Sequence, residues 1–154
     1  MGIKLEKMCW GSWTPHKFKM AVSGCPRNCA EATIKDFGVV AVDSGWELHV
    51  GGNGGVRIRP TDLLAKVTTE QEVLEYAGAF MQLYREEGHY LERTAPWIER
   101  VGLQHVKDLI VDDADGRRAL YERFIYAQQF AQTDPWAERQ DDMEFKTVNH
   151  LEYA

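Results

Sequence analysis

One stretch constrains this chain more than any other: Phe18 to Ala32, where the alternating run Phe18-Lys19-Met20-Ala21-Val22 passes through Ser23-Gly24-Cys25-Pro26 into Arg27-Asn28-Cys29-Ala30-Glu31-Ala32. The alternation predicts a strand, Gly24 and Pro26 a tight turn, and Ala30 to Ala32 the start of a helix. Two cysteines in C-x3-C spacing at such a corner can turn both sulfurs toward one metal centre. Amide groups at a helix start would favour thiolate and bound anions there.

Length and composition bound what that corner can mean. The 154 residues suffice for one domain with a sizeable core, and 44% hydrophobic with 27% charged residues is the balance of a globular protein. No run is long and apolar enough to span a membrane, and Met1 to Trp10 lacks the apolar core of a signal peptide, so the expected location is cytoplasmic. A formal charge of −6 argues against a general nucleic-acid surface. Cys9, Cys25 and Cys29 are few and odd in number, which fits reduced thiols available to a metal better than a disulfide framework.

Along the chain, Gly11-Ser12 and Pro15 argue against a long helix in Gly2 to Lys17, which is read as loop or short strand. His16, Lys17 and Lys19 cluster just before the cysteine turn, either as a solvated rim or facing the carboxylates of a polyanionic cofactor. Phe37–Val42 and Trp46–Val50 read as a hairpin turning at Asp43-Ser44-Gly45. The glycine-rich Gly51-Gly52-Asn53-Gly54-Gly55 follows, then Val56-Arg57-Ile58-Arg59, whose arginines should point to one side as a carboxylate or phosphate cradle.

Helical spacing takes over beyond this point. Thr61–Lys66 is a short helix candidate, and Thr69 with Glu72 makes a capping box for a longer helix ending near Gly88. Thr94-Ala95-Pro96 opens another that stops at Gly102; Leu103–Val111 and a last helix with Leu120, Phe124, Ala127 and Ala131 inward complete the set. The expected fold is α/β (α+β), a two-layer domain over residues 1–134. Its small mixed or antiparallel sheet comes from Phe18–Val22, Phe37–Val42, Trp46–Val50 and Val56–Ile58, covered by helices. Residues 135–154 form a polar tail with a short Phe145–Val148 run suited to an edge strand.

Cys25 and Cys29 are only half of a metal site, since zinc or an iron–sulfur cluster normally takes four protein ligands. Cys9 could add a third, His16 could help complete a zinc set, and a dithiol that exchanges with disulfides is a further reading. From spacing alone these alternatives stay open.

Ser23-Gly24-Cys25-Pro26-Arg27-Asn28-Cys29-Ala30-Glu31-Ala32, with Lys35-Asp36-Phe37-Gly38-Val39 and Val50-Gly51-Gly52-Asn53-Gly54-Gly55, resembles the second cysteine pair and following sheet of siroheme nitrite and sulfite reductases. The likeness is greatest to the carboxy-terminal part of the large subunit of assimilatory NAD(P)H nitrite reductases. It extends to Pro15-His16-Lys17-Phe18-Lys19 and to Arg93-Thr94-Ala95-Pro96-Trp97-Ile98-Glu99. The resemblance implies that Cys25 and Cys29 ligate a [4Fe-4S] cluster and that the Cys29 thiolate also bridges to the siroheme iron. It further implies that Asn53, Arg57 and amides of Gly51 to Gly55 contact siroheme carboxylates. The implied activity is six-electron reduction of nitrite to ammonia with NAD(P)H.

Departures from the family pattern shape these expectations. The chain has no C-x5-C pair and no G-x-G-x-x-G fingerprint, so FAD and NAD(P)H would bind elsewhere in an intact enzyme. Pro26-Arg27-Asn28, where sulfite reductases more often have Pro-Asn-Gly, moves the substrate toward nitrite. The chain is thus expected to be a fragment, inactive alone, partnered by the preceding part of the same large subunit; a small subunit and self-association are further partners. A stand-alone metal- or thiol-binding module without catalysis, or a sulfite reductase fragment, is the alternative.

Overall fold

A computed structural model describes residues 1–132. Its centre is a four-stranded mixed sheet in the order β1-β2-β3-β6: β1 is Met20–Ser23, β2 Phe37–Val42, β3 Gly45–Val50 and β6 Asp62–Val67. β2 and β3 form the expected hairpin, Val42 opposite Gly45, and Gly45 takes a φ of +132° at the turn. β1 lies parallel to β2, Met20 opposite Phe37, so the chain must cross over between them. That crossover contains both cysteines of the central motif and ends in a 3-10 turn, Ala32–Ile34.

Helices cover the sheet, as expected of a two-layer α/β domain. α2, Glu70–Glu87, begins with the predicted capping box: the Glu72 N–H donates to Thr69 Oγ1 at 3.2 Å, and the Thr69 N–H donates to the Glu72 carboxylate at 2.8 Å. Its buried residues, among them Val73, Ala77, Phe80 and Tyr84, pack with Phe37, Val39, Leu48 and Val50 of the sheet. Phe80 lies 5.8 Å from the Phe37 ring and 5.5 Å from Trp97 of α3, Thr94–Val101, so one aromatic stack joins sheet, α2 and α3. α4, Leu103–Lys107, runs through a π-helical turn, Asp108–Asp112, toward α5, Ala114–Ala131. Arg117 donates to the Ile110 carbonyl there at 2.8 Å. None of the described helices is long and apolar enough to cross a membrane.

Four local expectations are corrected. Gly2–Cys9 is a helix, α1, rather than loop or strand; Leu5 and Cys9 are its buried residues one turn apart, and Gly11, Ser12 and Pro15 fall beyond its end. Gln128 of α5 donates to the Met8 and Trp10 carbonyls at 2.9 and 3.2 Å, satisfying that end. Thr61–Lys66 is no helix, because Asp62–Val67 is the sheet's fourth strand. Leu48 faces Ala65 while His49 faces Leu63, leaving Leu64 as the extra residue of a bulge. The bulge buries both Leu64 and Val67, three positions apart, which mimics helical spacing. Val56–Ile58 does not join the main sheet: β5 is Ile58–Arg59 and pairs with β4, Asn53–Gly54, in a separate ribbon. Ala30 to Ala32 does not start a helix and leads only into the 3-10 turn. The tail 135–154, with Phe145–Val148, lies outside the described residues.

Between α2 and α3 the chain turns at Gly88–Glu92. The Tyr84 hydroxyl donates to the Glu92 carbonyl, the His89 N–H to the Glu92 carboxylate at 2.9 Å, and Arg100 to both carboxylate oxygens at 2.9 and 2.7 Å. Chiefly through the Arg100 hydrogen bond, the Glu92 carboxyl is held down at about 2. A folded-state value below the unfolded one, about 4.3, means that the contribution to stability is present above that value and is lost as pH falls toward 2. Glu92→Gln is therefore expected to lower the thermal midpoint at pH 7 by roughly 3 °C, water screening the pair. The gap from the unsubstituted protein should close as pH falls from about 4.5 to 2, as read by circular dichroism melts.

Candidate functional site

The cysteine segment is built from three successive turns. Asn28 N–H donates to the Cys25 carbonyl at 3.1 Å, Glu31 N–H to the Asn28 carbonyl at 2.8 Å, and Ile34 N–H to the Glu31 carbonyl at 3.2 Å. Pro26, with its fixed φ, occupies the second position of the first turn. The reversals between turns need left-handed residues, and Asn28 (φ +54°) and Glu31 (φ +55°) supply them. Asn28 is the hub: its Oδ1 accepts from Ser23 Oγ at 3.0 Å and from the Ala32 N–H at 2.7 Å, and its Nδ2 donates to Thr33 Oγ1 at 2.6 Å. These bonds outcompete the helix that Ala30 and Ala32 would favour.

The sheet holds this segment closely. A Cβ on Gly38 of β2 would lie 2.0 Å from the Ala32 carbonyl oxygen, and one on Gly52 would lie 2.5 Å from the Ile34 carbonyl carbon. Only glycine allows either approach. Gly51 and Gly52 donate their N–H groups to the carbonyls of Asp36 and Lys35 at 3.1 and 2.8 Å, and Gly55 donates to Asn53 Oδ1 at 3.2 Å. The glycine-rich loop is thus a dock for the end of the cysteine segment: the Gly51 and Gly52 amides face inward and are taken up by backbone, and the Gly55 amide is used within its own loop.

Cys25 and Cys29 are exposed and unbonded. Cys9 is not with them: it is buried against Met81 and Phe124, and burial pushes its thiol up to about 12. His16 accepts the Lys17 N–H on Nδ1 at 2.7 Å, and among the described residues no group of three His, Cys, Asp or Glu side chains could hold a metal ion. A closed zinc set is therefore not formed by the described residues. Two outward thiols on a braced loop do fit half of a thiolate-ligated cluster, as a donor set.

Beside the loop lies a cavity of about 280 Å³ whose wall includes Lys17, Lys19, Lys35, Arg93, Asn53 and Glu31. Two of its cations are compensated: Lys35 pairs with Glu31 at 3.1 Å, and Arg93 pairs with the buried Asp36 at 2.6 Å. Lys17 and Lys19 have no acid partner among the described residues, which leaves two surplus positive charges. A second cavity, about 200 Å³, shares Asn53 and Arg93 with the first and adds Arg57 and Arg59. Both of these arginines reach Glu99, at 3.3 and 3.5 Å, so they do point to one side. The Asn53 amide is partly occupied in shaping its own loop, donating to the Arg57 carbonyl at 2.8 Å.

Sequence reasoning did not find Asn28, Lys35, Asp36 or Arg93. Asn28 had a signal, since asparagine tolerates left-handed backbone inside a tight turn. Arg93 lies 57 positions from Asp36 and had no local signal.

Fold and site together define an α/β domain presenting a thiol pair beside an anion-attracting cavity, and the chain belongs to the family described as the nitrite and sulphite reductase 4Fe-4S domain, whose model matches residues 2–117. It is 56% identical over 142 residues to the nitrite reductase [NAD(P)H] of Bacillus subtilis (strain 168), a match covering 92% of this chain and 17% of that protein. To the nitrite reductase (NADH) large subunit of Escherichia coli (strain K12) it is 40% identical, over 90% of this chain and 16% of the relative. An assimilatory-type sulfite reductase of Nitratidesulfovibrio vulgaris is 32% identical, over 72% of this chain and 51% of the relative. The chain thus spans about a sixth of the length of the two nitrite reductases.

Thiol exposure gives a direct check. With an aromatic disulfide reagent at neutral pH, two thiols per chain should react in the native state and the third, Cys9, only on unfolding. Asn28→Ala, which loses three hydrogen bonds and strains a left-handed position, should lower stability by about 2 kcal/mol in urea unfolding.

Proposed function

We propose that this chain is the part of an NAD(P)H-dependent siroheme nitrite reductase that supplies two ligands of the [4Fe-4S] cluster and one wall of the siroheme site. The carrying observation is the exposed Cys25–Cys29 pair on a loop braced against the sheet, next to a cavity with two ammonium groups that have no acid partner among the described residues. The higher identity to nitrite reductases, 56% and 40% against 32% for the sulfite reductase, favours nitrite over sulfite. The other two cluster ligands, the flavin and the NAD(P)H site belong in this reading to the rest of a longer cytoplasmic polypeptide, with a small subunit as a further partner.

When bound, the cluster and siroheme supply stored electrons and the iron at which a six-electron reduction of nitrite to ammonia takes place. The chain's own residues do the rest of what can be derived. Cys25 and Cys29 would hold the cluster as thiolates, with Cys29 the ligand on the siroheme side. Asn28 fixes the spacing of the two sulfurs by closing the turns around them. Lys17, Lys19, Arg93 and Arg57 face peripheral carboxylates or the nitrite anion, and Asn53 sits where the two cavities meet. Arg93 is held in place by its pairing with Asp36, so its guanidinium needs little reorganisation to meet an anion.

Cys25→Ser and Cys29→Ser in the full-length protein, purified without oxygen, should each reduce iron from about five per polypeptide, counting that of siroheme, to about one or fewer, and acid-labile sulfide from about four to below about one. Full retention in both variants would refute the assignment. The 154-residue chain alone is expected to fold yet hold neither a complete cluster nor siroheme; stoichiometric iron, sulfide and siroheme absorbance in that sample would contradict the half-site.

A further inference from the structure

Leu91 stands at the edge of the second cavity in a conformation that costs it strain. Its φ is +64°, in the left-handed region that a side chain of its size rarely enters, and it remains 60% exposed. The surroundings over-determine this geometry. The Leu91 N–H donates to the Pro15 carbonyl at 3.0 Å and the Glu92 N–H to the His89 carbonyl at 2.9 Å, while Arg100 and the His89 N–H fix the Glu92 carboxylate. Glycine or asparagine would adopt the same turn with less strain. An apolar side chain is kept there instead, outside the core.

What that side chain touches suggests why. Leu91, Ala95 and Pro96 line the second cavity together with Arg57, Arg59 and Arg93, and Glu99, which pairs with the first two arginines, also lies in its wall. Apolar surface beside guanidinium groups matches the chemistry of a flat apolar ring with carboxylates on its periphery. We propose that Leu91 is a positioning residue for siroheme, presented by the strained Gly88–Glu92 turn to pack against the macrocycle beside these arginines. The inference rests on the function proposed above and adds to it a contact that no charge or thiol motif marks.

The test uses the full-length protein purified without oxygen, comparing Leu91→Asn, Leu91→Gly and Leu91→Met with the unsubstituted protein. Siroheme retained per polypeptide after prolonged dialysis is read from its visible absorbance, and thermal midpoints are read by circular dichroism. Asparagine and glycine relieve the backbone strain but remove the apolar contact, so siroheme retention should fall at least about threefold while the midpoint of the apoprotein stays level or rises. Methionine keeps an apolar side chain and should keep retention near that of the unsubstituted protein. Unchanged retention in Leu91→Asn and Leu91→Gly overturns the inference and leaves the proposed function standing. Unfolding of both variants makes Leu91 a structural residue and also overturns it. Absence of siroheme from the unsubstituted protein overturns the proposed function itself.

Discussion

The arrangement depends on one buried anion. Asp36 is fully buried, and an uncompensated carboxylate in that position would cost several kcal/mol, on the order of 3 to 5 when a partner is removed. It is compensated by two nitrogens of Arg93, at 3.1 and 2.6 Å, by the Thr94 hydroxyl, and by the Lys19 N–H at 2.8 Å, while its own carbonyl accepts from Gly51. These donors come from the approach to β1, from the glycine-rich loop and from the start of α3. The side chain thereby ties the approach to β1 to the start of α3, and the backbone carbonyl of the same residue ties in the glycine-rich loop. The Lys19, Arg93 and Thr94 donors are all needed for solvation of the charge, so neither of their two segments can separate without leaving it short of partners.

Docking of the cysteine segment adds a second constraint, which is steric. The crossover from β1 to β2 lies against Gly38 on one side and Gly52 on the other, at distances a Cβ would close. Backbone-to-backbone contact of this kind is rigid because there is no side-chain rotamer to adjust. The thiols project from the outer side of a segment whose inner side is clamped, so the cost of ordering them is met during folding and not at ligand binding.

How much of this the sequence disclosed follows from how local each cause is. The β2–β3 hairpin, the Thr69–Glu72 capping box and the stop at Gly102 are decided by residues within a few positions of one another, and they were legible. β6 was misread as helix because the Leu64 bulge breaks strand alternation, and α1 because its breakers lie past Cys9 and were counted within it. At the site, the exposed thiol pair and the same-side Arg57 and Arg59 were legible, while of the His16, Lys17 and Lys19 cluster only the two lysines line the cavity. The Asp36–Arg93–Thr94 junction was not, since it joins residues 57 and 58 positions apart and no periodicity records such a meeting. The inward-turned amides of Gly51 and Gly52 had a local sequence but a distant partner, so their glycines suggested a ligand cradle where the partner is the protein's own backbone.

The chain's overall charge of −6 coexists with a cavity that attracts anions, and the length scale of screening reconciles the two. At physiological salt, charges more than about 8 Å away contribute little, so the potential inside the cavity is set by its own wall. There, Glu31 and Asp36 each offset one cation, and Lys17 and Lys19 remain. Lys17 and Lys19 are both exposed, so water and salt screen their mutual repulsion and the pair costs the fold little. An anion seated beside them would bind the folded state alone, so its binding free energy would add to folding by linkage.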